Sequence, residues 1–184
     1  MYEKFGQFIE GKWQQSSDKS TYEVINPANE EVLGHESKAT SVDVNKALES
    51  AKKGLETWKH TPPWQRSYII RKIADKMREK LDVLAKWMTL EVGIPFAEAK
   101  GEVGGAADIF EWNAEETKRI YGQTVESRFE NTRVHVYYQP VGVVAALVPW
   151  NFPIVLASRK ISTALAAGCS VICKPDVITP GCVM

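Results

Sequence analysis

The sequence predicts an α/β fold, a Rossmann-like doubly wound parallel sheet preceded by a region of hairpin and helices and flanked by a β arm. Three observations lead there. Val141 to Val148 is almost continuously apolar, as a central parallel strand covered on both faces would be. A helical pattern opened by Pro153 follows and runs to Ala167, where Gly168 ends it. Ser170-Val171-Ile172-Cys173 is then a second short buried run, so strand, helix and strand form a βαβ unit.

Upstream, residues 1–38 read as strands and loops. Phe8-Ile9-Glu10-Gly11-Lys12-Trp13 alternates around a glycine like a short hairpin, and Asn26-Pro27-Ala28 reads as a turn. Thr40 with Asp43 matches a capping box, after which Val44, Ala47, Leu48, Ala51, Leu55 and Trp58 recur at helical spacing. Past Pro62-Pro63 the same period continues from Ile70 through Met88 to Gly93, as one long helix or two that abut near Asp82. A further stripe, Val103, Ala107, Phe110, Ala114, Thr117 and Tyr121, predicts a helix stopped by Gly122. Arg133 to Gln139 places valines alternately with polar residues, which predicts a strand with one wet face, suited to an edge or an arm.

With 44% hydrophobic and 25% charged positions among 184 residues, the chain can bury one sizeable core. Its 23 basic and 23 acidic side chains are interspersed and cancel, which leaves no electrostatic footprint for nucleic acid or an anionic membrane. No apolar stretch reaches a membrane span, and Met1 to Gln7 carries charges where a signal peptide needs its apolar region, so a cytoplasmic protein is expected. Three cysteines, Cys169, Cys173 and Cys182, crowd one end without a disulfide pattern or the paired knuckle of a zinc site. Each reads as a small buried hydrophobe or a tail residue rather than a nucleophile, and no metal is expected.

Ligands of open parallel sheets bind beyond the carboxyl ends of the strands. Two segments occupy that edge here, Val148-Pro149-Trp150-Asn151-Phe152-Pro153 and Lys174-Pro175-Asp176-Val177-Ile178-Thr179-Pro180. Asn151 at the start of a helix has two readings, an N-cap before a helix-starting proline or an amide donor aimed at a developing oxyanion.

The Pro-Trp-Asn-Phe-Pro run after Pro140-Val141-Gly142-Val143, with Ala164-Leu165-Ala166-Ala167-Gly168-Cys169 and Lys174-Pro175 in register, resembles the aldehyde dehydrogenase superfamily. The likeness reaches back through Tyr121-Gly122, Phe110-Glu111-Trp112, Thr89-Leu90-Glu91, Asn26-Pro27-Ala28 and Ile9 to Trp13, and so covers essentially the whole chain. It implies NAD(P)-dependent oxidation of an aldehyde to a carboxylic acid through a cysteine thioester that a glutamate-activated water hydrolyses. Asn151 is then implied to hold the oxyanion and Lys174 to bond the adenosine ribose of NAD or NADP. Val148, Pro149 and Trp150 would run along the cofactor with Asn151, and Pro175, Asp176 and Val177 would flank it.

Where NAD-preferring members often carry glutamate three positions after that lysine, this sequence has Val177, which does not repel a 2′-phosphate, so NADP is expected to be tolerated. Phe152 and Arg159 fall on one helical face, and a guanidinium there suits a carboxylate. Members that oxidise succinate semialdehyde resemble this chain here and from Phe110-Glu111-Trp112 to Tyr121-Gly122, which implies a semialdehyde substrate; the competing reading of Arg159 is a solvated helix residue. The resemblance divides the chain into hairpin and helices of a cofactor-binding domain (1–123), a β arm of an oligomerisation region (124–141) and a βαβ segment (142–184). It also puts the nucleophilic cysteine and the base beyond Met184. The expectation is therefore the N-terminal part of a homo-oligomeric enzyme, incomplete and poorly soluble alone. The alternative is a non-catalytic binding module or an inactive partner in a mixed oligomer.

Overall fold

The computed structural model describes residues 6–184; residues 1–5, most of the charged start, lie outside it. Strands β1 (Gln7–Ile9) and β2 (Lys12–Gln14) form the expected hairpin. Its two-residue loop, Glu10 and Gly11, has positive φ at both positions, the geometry whose twist matches paired strands. Phe8 and Trp13 face each other across it with ring centroids 5.0 Å apart. A second antiparallel pair, β3 (Thr21–Ile25) and β4 (Val32–Ser37), is turned by Asn26, whose Oδ1 accepts the Ala28 N–H at 2.9 Å.

Helix α1 (Ser41–Trp58) opens with the predicted capping box. Thr40 N–H donates to Asp43 Oδ2 at 2.9 Å, and Asp43 N–H donates back to Thr40 Oγ1 at 3.4 Å. The Asp43 carboxylate also accepts the Ser17 N–H, and these donors hold its pKa well below the usual carboxylate range, the Thr40 N–H foremost. At the other end the Trp58 indole N–H donates 2.9 Å to the Leu165 carbonyl, which ties α1 to the helix of the βαβ unit.

The long apolar period that follows is two helices, α2 (Pro63–Glu79) and α3 (Leu81–Val92), broken at Lys80 with φ −102° and ψ 17°. Helix α4 (Phe96–Thr117) is the spine of the molecule. Its buried face, Ala99, Val103, Ala106, Ala107, Phe110, Ala114 and Thr117, is mostly small, so α2, α3 and the helix of the βαβ unit all pack closely on it. On its rim Arg71 pairs with Glu111 and Glu115, and Arg78 with Asp108 and Glu111, in a ladder between α2 and α4. The helix starts earlier than the sequence suggests and ends at Thr117 rather than at Tyr121. Ile120 and Tyr121 keep the apolar spacing but lie exposed with nothing to bury them, so the period outruns the helix.

Strands β5 (Gln123–Glu126) and β6 (Arg133–Val136) form an antiparallel hairpin. Its strand is shorter than predicted and wet on both faces: even Val134 is exposed, and only Val136 is half-buried. The βαβ unit is present as β7 (Val143–Leu147), α5 (Pro153–Ala166) and β8 (Ser170–Lys174), with β7 and β8 parallel and paired from Val143↔Ser170 to Leu147↔Lys174. Helix α5 ends in a Schellman motif: Cys169 N–H reaches Ala164 O, Gly168 N–H reaches Leu165 O, and Gly168 supplies the left-handed φ of 88°. Among the described residues β7 has one neighbour, and only Ala146 in it is buried while Leu147 is 62% exposed. The expectation of a central strand covered on both faces therefore does not hold in this chain, because an apolar run encodes a wish for burial and not the elements that provide it. No helix among the described residues is long and apolar enough to cross a membrane.

Candidate active site

Both predicted loops leave the same edge of the parallel pair. Leu147 and Lys174 are register partners at the carboxyl ends of β7 and β8, and Val148 N–H donates to Lys174 O at 3.0 Å, extending the ladder by one bond. The Lys160 ammonium, reaching back from α5, donates to the Leu147 carbonyl at the strand end. Beyond that point the chain is open to solvent: Pro149, Trp150, Asn151 and Phe152 are exposed, whereas Val148 is buried and offers only backbone.

Asn151 does not cap α5. The residue at the cap position is Phe152, with φ −143° and ψ 65°, and no side chain of the loop bonds the first turn. That turn is served instead from α4, where Glu102 Oε1 accepts the Val155 N–H at 3.2 Å and also takes the Ile154 N–H. The amide of Asn151 is thereby left without a hydrogen-bond partner among the described residues, exposed at the crevice edge. Of its two sequence readings, the cap is the one the structure removes.

On the second loop the Lys174 ammonium is exposed and bonds only the Pro175 carbonyl, at 3.0 Å. Pro175 is half-buried, and the Asp176 carboxylate accepts the Ile178 N–H at 3.1 Å, which turns the chain and occupies that side chain. Val177, 51% exposed, presents an apolar surface next to that turn. Behind the loop, burial together with the Glu36 and Asp176 carboxylates pushes the Tyr22 hydroxyl up to about 12.

Arg159 lies eight residues beyond Asn151, about 12 Å along the helix axis by the rise per residue. It is exposed and forms no ion pair among the described residues, while Val155 on the same face is half-buried against the core. The structure thus groups Asn151, Phe152 and the 174–177 segment at one edge and sets Arg159 two turns away along α5.

None of the three thiols is poised for attack. Cys169 and Cys182 are buried; burial pushes Cys173 up to about 11, and burial with the neighbouring Glu91 carboxylate drives Cys182 well above the usual thiol range. Cys182 is not in a loose tail as the sequence suggests. The turn at Gly181 and Cys182 is seized by Glu91 of α3, whose Oε1 and Oε2 accept their N–H groups at 2.8 and 2.9 Å. Sequence reasoning missed both glutamates. Glu91 carries a signal, since it falls three residues after Met88 and seven after Leu84, on the stripe the helical period reserves for the core. Glu102, beside the core residue Val103, carries none that local sequence resolves.

The aldehyde dehydrogenase family model matches residues 13–184. Glutarate-semialdehyde dehydrogenase of Pseudomonas putida is 43% identical over 173 residues, covering 94% of this chain and 36% of that protein. The NADP(+) succinate-semialdehyde dehydrogenase of Escherichia coli is 42% identical over 172 residues, with the same two coverages. Among solved structures, an E. coli NADP-dependent enzyme superposes with a TM-score of 0.93 at 42% identity, over 95% of this chain and 36% of that one. Betaine aldehyde dehydrogenase of Staphylococcus aureus, solved in complex with NAD+, does so at 0.93 and 35% identity, over 96% and 36%. The chain therefore spans about a third of the length of the relatives it matches.

Proposed function

The chain belongs to the aldehyde dehydrogenase family, and from that premise we propose that it supplies the dinucleotide and oxyanion side of an enzyme that oxidises a semialdehyde to a dicarboxylate with NAD or NADP. The observation that carries the reading is an exposed Asn151 amide without a partner among the described residues and an exposed Lys174 ammonium bonded only to the neighbouring Pro175 carbonyl, both at the carboxyl ends of two paired parallel strands. In this reading the Asn151 side chain donates an N–H to the oxygen that gains charge when the carbonyl is attacked, a contact worth most in the transition state. Lys174 donates to ribose hydroxyls, the edge from Val148 to Trp150 runs along the dinucleotide, and Pro175 and Asp176 fix the turn that carries Val177. When bound, the dinucleotide supplies a hydride acceptor.

The residues present fit that group. Lys174 offers an exposed cation for the ribose, the Asp176 carboxylate is turned onto the Ile178 N–H, and Val177 itself brings no negative charge against a 2′-phosphate. Phe152 lines the approach to the oxyanion position, and Arg159 receives the distal carboxylate of the semialdehyde in a bidentate grip. The relatives named for glutarate and succinate semialdehydes support that substrate class. The thiolate and the base of the reaction are not assigned to this chain, in which burial pushes the Cys173 and Cys182 thiols up. The exposed β5–β6 hairpin is assigned to contacts between subunits.

Titration of the chain with NADPH and NADH, followed by quenching of the exposed Trp150, tests the reading. Saturable binding that Lys174→Ala weakens about tenfold is expected. Binding of neither dinucleotide, or binding indifferent to Lys174, would overturn it.

A further inference from the structure

The two loops at the crevice edge share a device that their own sequences do not contain. Each leads into a helical turn, α5 after the first and the turn at Gly181 after the second, and each turn starts with N–H groups that need acceptors. At the first, Ile154 and Val155 are served by Glu102 of α4; at the second, Gly181 and Cys182 are served by Glu91 of α3. Both carboxylates come from behind the loops, from helices packed in the same core, and both act on the Cys182 thiol, so the two turns meet at one acidic cluster. Neither carboxylate has a basic partner among the described residues, and Glu91 is fully buried. Glu102 Oε2 is shielded from water and makes no hydrogen bond.

Resting on the reading of this edge as a dinucleotide and oxyanion site, we propose that Glu102 and Glu91 are positioning residues, which take the first-turn N–H groups from behind and so leave the Asn151 amide and the Lys174 segment free to face ligand. Most helices beginning with asparagine near their first turn use that side chain as the acceptor. Here the acceptor is imported, and Asn151 is released from the task. The second clamp acts the same way on the stretch from Lys174 to Pro180, which is fixed at its near end by β8 and at its far end by Glu91. The fit there is close. A Cβ on Gly181 would stand 2.6 Å from Glu91 Oε1 and 2.5 Å from Trp87, so only glycine lets the backbone reach the carboxylate. Neither glutamate touches ligand in this scheme; each acts through the loop it holds.

The test uses the whole chain and four variants: Glu102→Ala, Glu102→Gln, Glu91→Ala and Glu91→Gln. Amide hydrogen exchange at Ile154, Val155, Gly181 and Cys182 is read by NMR, together with the Asn151 side-chain amide signal and NADPH affinity. In Glu102→Ala, protection at Ile154 and Val155 should fall about ten- to a hundredfold, the range for losing a bond to a charged acceptor. The Asn151 amide signal should shift and its exchange with water should slow as that side chain takes over the vacated N–H groups. Glu102→Gln keeps an acceptor oxygen and should restore both readouts to within a few-fold. Glu91→Ala should lower protection at Gly181 and Cys182 and weaken NADPH about tenfold with the Asn151 signal unmoved. An Asn151 signal that ignores Glu102→Ala, or NADPH affinity that survives loss of the Glu91 clamp, would overturn the proposal. If the unaltered chain binds no dinucleotide, the functional reading fails, and the Asn151 signal alone still decides whether Glu102 positions it.

Discussion

Replacing Glu91 by glutamine should change how the stability of this chain depends on pH. The carboxyl is fully buried, and loss of hydration is the largest influence on it, outweighing the Cys182 and Gly181 N–H bonds that favour its charged form; its pKa in the fold is pushed up to about 7 from 4.5 for a free glutamate side chain. The folded state therefore holds the proton more tightly than the unfolded chain does. The stability this confers is fully present below about pH 4.5 and is lost as pH rises through about 7. A shift of that size, at 1.36 kcal/mol per pKa unit, corresponds to about 3 kcal/mol. Glutamine has nearly the same shape, still accepts one of the two N–H groups and does not titrate. Urea unfolding followed by tryptophan fluorescence at pH 5 and pH 8 gives the comparison. The native chain should lose about 2.5 kcal/mol more than Glu91→Gln between those values. Glu36 and Glu102 are also raised, mainly by burial, and are present in both proteins, so the difference isolates Glu91. Equal pH dependence in the two proteins would refute the reasoning, because a carboxyl hydrated in the folded state would have no penalty to relieve.

Gly181→Ala should destabilise by about 1–3 kcal/mol, the range for overpacking a closed site, and should alter Trp87 fluorescence in the folded state; a melting curve unchanged from the native one would contradict the close approach. Arg66 is buried without a carboxylate partner and donates to the Thr61 and Ala166 carbonyls, so Arg66→Ala should cost about 3 kcal/mol in chemical denaturation, and a loss below 0.5 kcal/mol would mean those bonds are idle. Val177→Glu should raise the ratio of NADPH to NADH dissociation constants about tenfold or more by placing a carboxylate against the 2′-phosphate; an unchanged ratio in fluorescence titration would remove Val177 from the site.

What local sequence encodes is periodicity and punctuation, and those parts of the fold were legible. Thr40 with Asp43 announced the start of α1, Pro153 and Gly168 bracketed α5, and the glycine of the first hairpin sat where a positive φ is needed. Periodicity failed where burial depends on other elements: Tyr121 continues the α4 stripe into solvent, and the apolar run of β7 says nothing about how many strands flank it. The site was half legible for the same reason. Asn151 and Lys174 could be placed at strand ends from the βαβ pattern and the family resemblance. That Asn151 is not a cap could not be read, because the competing acceptor, Glu102, belongs to another helix. Cys182 looked like a tail residue because its partner, Glu91, lies in α3.

Helix α5 has a charged side chain from a neighbour at each end: Glu102 of α4 at its beginning and Arg66 of α2, through the Ala166 carbonyl, at its close. Anion at the amino end and cation at the carboxyl end is the arrangement that complements the helix macrodipole. Its consequence is mechanical. To slide along its own axis α5 would have to break both contacts together, so it has little axial play, and Asn151 at its tip is registered against α2 and α4 rather than against its own loop. Engineers who vary only the crevice lining would leave that registration untouched, while a change at residue 66 or 102 would move the tip without touching it.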